Sequence, residues 1–135
     1  MILREEKGGW SLLLANGRVQ LIQIDFRLGL FLSDPPDEAE LYIERTFRLK
    51  EPNGIVTLEP GKTATLAPAL SLFNAKISNV TVRKTGGLKA EFAGEVSIEV
   101  GPDDRFEAWQ LGSRSAGFML ICSPGGSVSF FQDGR

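Results

Sequence analysis

The stretch Leu88-Lys89-Ala90-Glu91-Phe92-Ala93-Gly94-Glu95-Val96-Ser97-Ile98-Glu99-Val100 decides how the rest of the chain is read. Apolar residues alternate with polar or charged ones on each side of Ala93-Gly94, so each arm has one face for a core and one for water. Residues 87–100 therefore read as an antiparallel hairpin that turns at Ala93-Gly94, where glycine accepts a positive φ. The same period recurs elsewhere. Residues 27–33 and 39–44 read as a second hairpin. Pro35 and Pro36 cannot sit inside a ladder, so they belong to its loop, residues 34–38. Residues 117–123 and 127–131 read as a third, closed by Pro124-Gly125-Gly126.

One segment breaks this period. Leu66, Leu70, Phe73 and Ile77 recur at spacings of four, three and four. That stripe predicts a helix within residues 65–74, with Pro68 in its first turn and Asn74 at its left-handed stop. The strands on either side of the helix look alike. Val19, Ile22 and Ile24 match Ile77, Val80 and Val82 at an offset of 58, and Leu28, Leu30 and Leu32 match Leu88, Ala90 and Phe92 at 60. Leu41 and Ile43 match Val96 and Ile98 at 55, and Phe47 matches Phe106 at 59. The chain thus reads as two tandem β-meanders, residues 18–59 and 76–111, followed by a hairpin over 117–131. The expected fold is a mainly β (α+β) single domain over residues 1–135. It has about eight to ten short antiparallel strands, arranged as a sandwich or as one curled sheet.

Composition narrows the function. A chain of 135 residues suits one domain. Fifteen Lys and Arg against seventeen Asp and Glu leave a formal net charge of −2, which argues against a nucleic-acid or anionic-membrane binder. The chain has no His, which removes the commonest general base and the commonest metal ligand. Cys122 is the sole cysteine, so neither an internal disulfide nor a cysteine-based zinc site can form, and a reducing cytoplasm is the expected setting. The opening Met1-Ile2-Leu3-Arg4-Glu5-Glu6-Lys7 turns charged at once, unlike a signal peptide. The longest apolar runs, such as Phe118 to Cys122, are far shorter than the roughly 20 residues of a membrane helix.

No motif carries chemistry. Gly61-Lys62-Thr63 looks like the end of a phosphate loop, but the required first glycine falls on Val56, so an ordinary turn is the better account. Asp34, Asp37, Glu38 and Glu40, like Asp103, Asp104 and Glu107, lie in or beside polar turns and match no calcium loop. Cys122 sits in an apolar strand with no base to activate it, and reads as a core thiol. Lys62 and Lys84 lack a Ser–Lys signature. No catalytic, cofactor-binding or metal-ligating residue is assigned. Arg18, Arg27, Arg45 and Arg48 form no basic run, which argues against a phosphate-reading face.

Two features point to an interface instead. Phe118-Met119-Leu120-Ile121-Cys122 is apolar on both faces, so it expects cover on both sides, from a second layer or a partner subunit. On a strand, Glu107, Trp109 and Leu111 share a face opposite Phe106 and Ala108. Trp109 reads first as a core residue. As a functional residue it would line a groove or subunit contact with Glu107. Glu107, Trp109, Met119 and Ile121 are the candidate interface or groove residues.

Phe106-Glu107-Ala108-Trp109 followed by Cys122-Ser123-Pro124-Gly125-Gly126 resembles the ending of a family of small bacterial proteins of unknown function. Leu66-Ala67-Pro68-Ala69-Leu70 and Ile24-Asp25 are similar to that family's middle and start, so the likeness covers nearly the whole chain. It implies a cytoplasmic single domain with no assigned activity and transfers no catalytic residue. By analogy alone, such proteins also include immunity proteins encoded beside toxins. The leading expectation is a non-catalytic protein-interaction module, homodimeric and without a cofactor. The alternative is a small carboxylate-dependent enzyme or small-ligand binder with a pocket between sheets, on which acids such as Asp25, Glu99 and Glu107 would converge.

Overall fold

The computed structural model describes residues 1–133. Its strands are β1 (Ile2–Glu6), β2 (Gly9–Ile24), β3 (Leu28–Asp34), β4 (Asp37–Ile43), β5 (Phe47–Glu51) and β6 (Gly54–Leu58), then β7 (Lys76–Arg83), β8 (Leu88–Phe92), β9 (Val96–Val100), β10 (Trp109–Ser113), β11 (Phe118–Cys122) and β12 (Val128–Gln132). All twelve join one antiparallel sheet in the order β12-β11-β10-β4-β3-β2-β7-β8-β9-β5-β6, with β1 beside the first half of β2. The three expected hairpins are β8–β9, β3–β4 and β11–β12. The sheet is single and curled. Phe130 on β12 meets Trp10 on β2 with ring centroids 5.7 Å apart, although five strand spacings of about 4.8 Å would separate them in a flat sheet. Curling closes the inward faces over a core that includes Leu12, Leu30, Leu41, Leu49, Val80 and Ile98.

Strand pairing places the internal repeat on a pseudo-two-fold axis. Val19, Ile22 and Ile24 pair with Leu32, Leu30 and Leu28, as Ile77, Val80 and Val82 pair with Phe92, Ala90 and Leu88. Even the irregularities correspond, falling between Val19 and Leu21 in one half and between Ile77 and Asn79 in the other. At the centre Arg18 pairs with Lys76, its own counterpart at offset 58. Further along, the structure corrects the sequence matches. Leu30 pairs with Leu41 and Ala90 with Ile98, so Leu41 corresponds to Ile98 at an offset of 57 and not to Val96. The next hairpins are exchanged between halves: β10–β11 joins β4, and β5–β6 joins β9. Leu111 therefore corresponds to Leu49, and Trp109 to Phe47. Phe106 is an exposed residue of the β9–β10 connection. The second repeat runs on through β11, past residue 111.

The central helix also differs from expectation. It is a 3₁₀ helix, Thr63–Leu72, that buries Leu66, Ala69 and Leu72 at a spacing of three, while Leu70 and Phe73 are exposed and Ile77 belongs to β7. Pro68 lies inside the helix. Its missing N–H removes one bond from the helix and its ring crowds the preceding turn. Thr65 fastens the start, its hydroxyl accepting the Glu59 N–H at 2.8 Å and donating to the Lys62 carbonyl at 2.8 Å. Asn74 does take the left-handed conformation, with φ 64°, and its N–H donates to the Val19 carbonyl at 2.7 Å. No helix among the described residues is long and apolar enough to cross a membrane.

Candidate functional site

Apart from Asp34 and Ser113 at strand ends, the inward faces of both halves are apolar, so most of the difference in chemistry lies on the outer face. Pairing arranges that face in cross-strand rows. In the half built on β2 to β4, one row reads Ile121–Gln110–Tyr42–Gly29–Gln23 and the next Phe131–Met119–Gly112–Glu40–Phe31–Leu21. Tyr42 meets Phe31 edge-on at 5.8 Å, and the Arg27 guanidinium lies 4.1 Å from the Tyr42 ring centroid. The Tyr42 hydroxyl donates to Glu40 Oε2 at 3.0 Å. Burial and that hydrogen bond push its pKa up. Gly112 matters here because a Cβ would sit 2.9 Å from Met119 Sδ, so its absence lets the thioether lie over the sheet. Met119 remains 37% exposed and Phe131 57%. A recess of about 400 Å³ opens beside them, lined by Tyr42, Gln110, Gly112 and Met119.

At the equivalent positions of the other half, the rows read Thr57–Arg48–Glu99–Lys89–Thr81 and Ile55–Lys50–Ser97–Glu91–Asn79. Arg48 pairs with Glu99 at 2.9 Å and Lys89 with Glu91 at 3.3 Å. A groove of about 700 Å³ runs along this face and adds Arg45 and Arg83, so its lining holds four cations against Glu99. Arg45 donates to the Pro102 carbonyl. Along the chain Arg45 and Arg48 belong to no basic run. The exchanged hairpin is what brings them beside Arg83 and Lys89, which are remote in the chain.

The four candidate interface residues do not share one surface. Trp109 is fully buried on the inward face, its indole N–H donating to the Gly86 carbonyl at 2.9 Å. Glu107 is half-buried in the connection before β10. Met119 and Ile121 lie on the outer face, exposed and half-buried respectively, with no layer over them among the described residues. The inward side of β11 is Phe118, Leu120 and Cys122, all buried. Burial pushes the Cys122 thiol up, and it donates to the same Gly86 carbonyl at 3.6 Å, an environment for a packed thiol and not a nucleophile.

Of the acids expected to converge, Asp25 and Glu99 have separate local roles. Asp25 accepts the Arg27 backbone N–H at 2.7 Å in the β2–β3 turn, and Glu99 is paired on the outer face. Among the described residues, no three His, Cys, Asp or Glu side chains gather closely enough to hold a metal ion. Both grooves described above lie on the outer face, not between layers.

The chain belongs to a family of unknown function, DUF6188, whose sequence profile matches residues 10–132. That span takes in both meanders and leaves out β1. No curated protein and no solved structure matches the chain.

Proposed function

We propose that this member of the family is a non-catalytic binding module that associates with a second copy of itself through the apolar half of its outer face. The observation that carries this reading is the row Phe131–Met119–Gly112, which exposes an aromatic ring and a thioether side by side at one end of the sheet. Apolar side chains grouped on a sheet face mark interaction surfaces more often than single exposed ones do. The row ends on β12, whose outer edge pairs with no strand among the described residues. A second β12 alongside would satisfy those free backbone groups and extend the apolar contact. Trp109, packed on the inward face against the Gly86 carbonyl, is no part of this surface.

Light scattering and sedimentation at tens of micromolar test the reading. A dimer is expected. Met119→Lys with Phe131→Lys should weaken it, since each lost apolar contact is worth about 1.5–3 kcal/mol and each 1.4 kcal/mol is about tenfold in Kd. The thermal midpoint of the double variant at low concentration should stay near that of the parent. A parent chain that is monomeric throughout this range overturns the proposal.

A further inference from the structure

The two ends of the sheet are related by the pseudo-two-fold axis but are not equally complete, and from this we infer that β6 is a strand-addition site for an extended partner segment that alternates apolar and acidic residues. β6 and β11 are the second strands of the two exchanged hairpins. Pairing makes Ile55 the counterpart of Met119, Val56 of Leu120 and Thr57 of Ile121. The outer edge of β11 is filled by β12, which sets Phe130 opposite Leu120 and leaves Leu120 0% exposed. No strand pairs with the outer edge of β6 among the described residues. Val56 points to the same inward side as Leu120, yet it is 39% exposed, and Ile55 on the outer side is 54% exposed. The usual protections of a free edge are shortness, a covering helix or loop, a lysine, a proline, an inward charge or a bulge. β6 is five residues long and the 3₁₀ helix touches it, yet Gly54 to Thr57 remain exposed. Gly54-Ile55-Val56-Thr57-Leu58 carries no lysine, proline or inward charge, and its pairing with β5 is regular.

The neighbouring side chains specify the occupant. Its inward positions must be apolar to cover Val56, as Phe130 covers Leu120. Its outward positions would lie two strand spacings, about 9–10 Å, from β5, within reach of long side chains. On β5 those side chains are Arg48, which already pairs with Glu99, and Lys50, which lies between Ile55 and Ser97 with no acid directly opposite it, although Glu51, Glu91 and Glu95 line the same recess. Acidic residues at the outward positions meet this charge, and Arg45 and Arg83 in the adjoining groove extend the same field. A second copy of β6 is a poorer occupant, because it would bring its own Arg48 and Lys50 towards this pair and supply no acid. Main-chain pairing would then give affinity, and the alternating side chains specificity. This site lies at the opposite end of the strand order from the face proposed for self-association, and stands independently of it.

The test is fluorescence anisotropy with two labelled eight-residue peptides, one alternating valine with glutamate and one alternating valine with lysine, together with amide hydrogen exchange of the full chain. The valine–glutamate peptide is expected to bind saturably and to slow exchange in Gly54–Leu58. Val56→Lys and, separately, Ile55→Glu should each weaken that binding by about tenfold or more. Arg48→Glu with Lys50→Glu should reverse the preference towards the valine–lysine peptide. The inference is overturned if the parent chain binds neither peptide, binds both equally, or binds undiminished in both single variants. Exchange in Gly54–Leu58 that slows with protein concentration alone would assign the edge to a second copy, and overturns it too.

Discussion

At equivalent positions of one scaffold, the outer face reads Ile121, Gln110, Tyr42, Gly29 and Gln23 in one half and Thr57, Arg48, Glu99, Lys89 and Thr81 in the other. Beneath them the matched inward positions are apolar in both halves and differ mainly in size, with Leu30 against Ala90, Ile22 against Val80, and Phe47 against Trp109, whose indole N–H adds a hydrogen bond. Inward side chains answer to packing and must be apolar in both halves. Outward ones answer only to water or to a partner, so they are free to diverge. The comparison separates what holds the fold from what the fold presents: an apolar surface at one end and a cationic groove beside an open edge at the other.

The largest effects should come from testing the inward equivalence. Trp109→Ala and Phe47→Ala remove fully packed aromatics from matching sites, and each should cost about 3–5 kcal/mol in urea denaturation. Trp109→Phe imposes the counterpart residue. It should cost less, about 1–3 kcal/mol, because the Gly86 carbonyl loses the indole N–H while the ring remains. A loss below about 1 kcal/mol for Trp109→Ala would break the equivalence. Leu30→Ala copies Ala90 into the first half and should cost about 2–5 kcal/mol, whereas Ala90→Leu overfills the second and should cost about 1–3 kcal/mol.

The outward rows should barely register in stability. The Arg48–Glu99 pair is well formed at 2.9 Å, but both side chains are substantially exposed. Arg48→Ala should therefore change stability by no more than about 1 kcal/mol, and by less as salt is raised. A larger, salt-insensitive loss would mean that the cationic half is structural, and the contrast between the halves would lose its functional sense.

How much of this is visible in the sequence follows from how local each feature is. The β8–β9 hairpin is legible because alternation and the Ala93-Gly94 turn lie within thirteen residues. The offsets of 58 and 60 are legible because each pair of matched strands is joined by a short turn of its own. The hairpin exchange is not, since Phe47-Arg48-Leu49 alternates identically whether it lies beside β4 or β9. Without the exchange, Arg45, Arg48, Arg83 and Lys89 have no reason to be grouped, and the groove is invisible. The central helix is legible as a helix, but its 3₁₀ geometry and buried face are not. Leu66-Ala67-Pro68-Ala69-Leu70-Ser71-Leu72-Phe73 satisfies a spacing of three and a spacing of four equally well, so the pattern does not choose the buried face. The open edge of β6 had a local sign, an uncharged Gly54-Ile55-Val56-Thr57-Leu58, but only the filled edge of its counterpart gives that sign meaning.

The smallest effect separates the two halves by pH. The β2–β3 turn uses a carboxylate: Asp25 is held below the ordinary carboxylate range first by the Arg27 backbone N–H, against an opposing push from burial, with the Gln23 side chain and the Arg27 charge adding to the lowering. Both turns close through a backbone bond at the same place, the Asp25 N–H to the Arg27 carbonyl at 3.1 Å and the Arg83 N–H to the Gly87 carbonyl at 2.8 Å. The β7–β8 turn uses no carboxylate and adds the Gly86 N–H to the Arg83 carbonyl at 2.9 Å. A carboxyl whose folded pKa is depressed contributes stability that is present above its unfolded value. That stability is lost as pH falls through the folded value, because the unfolded chain takes up the proton first. The difference in thermal midpoint between the parent chain and Asp25→Asn should therefore be steady near neutrality and shrink as pH falls below about 4. Arg83→Ala, at the counterpart position, should leave that acid limb unchanged. A parent-minus-Asp25→Asn difference that stays constant from neutrality to about pH 3 would show that the Asp25 charge does not hold the turn, and the two turns would then differ in sequence but not in physics.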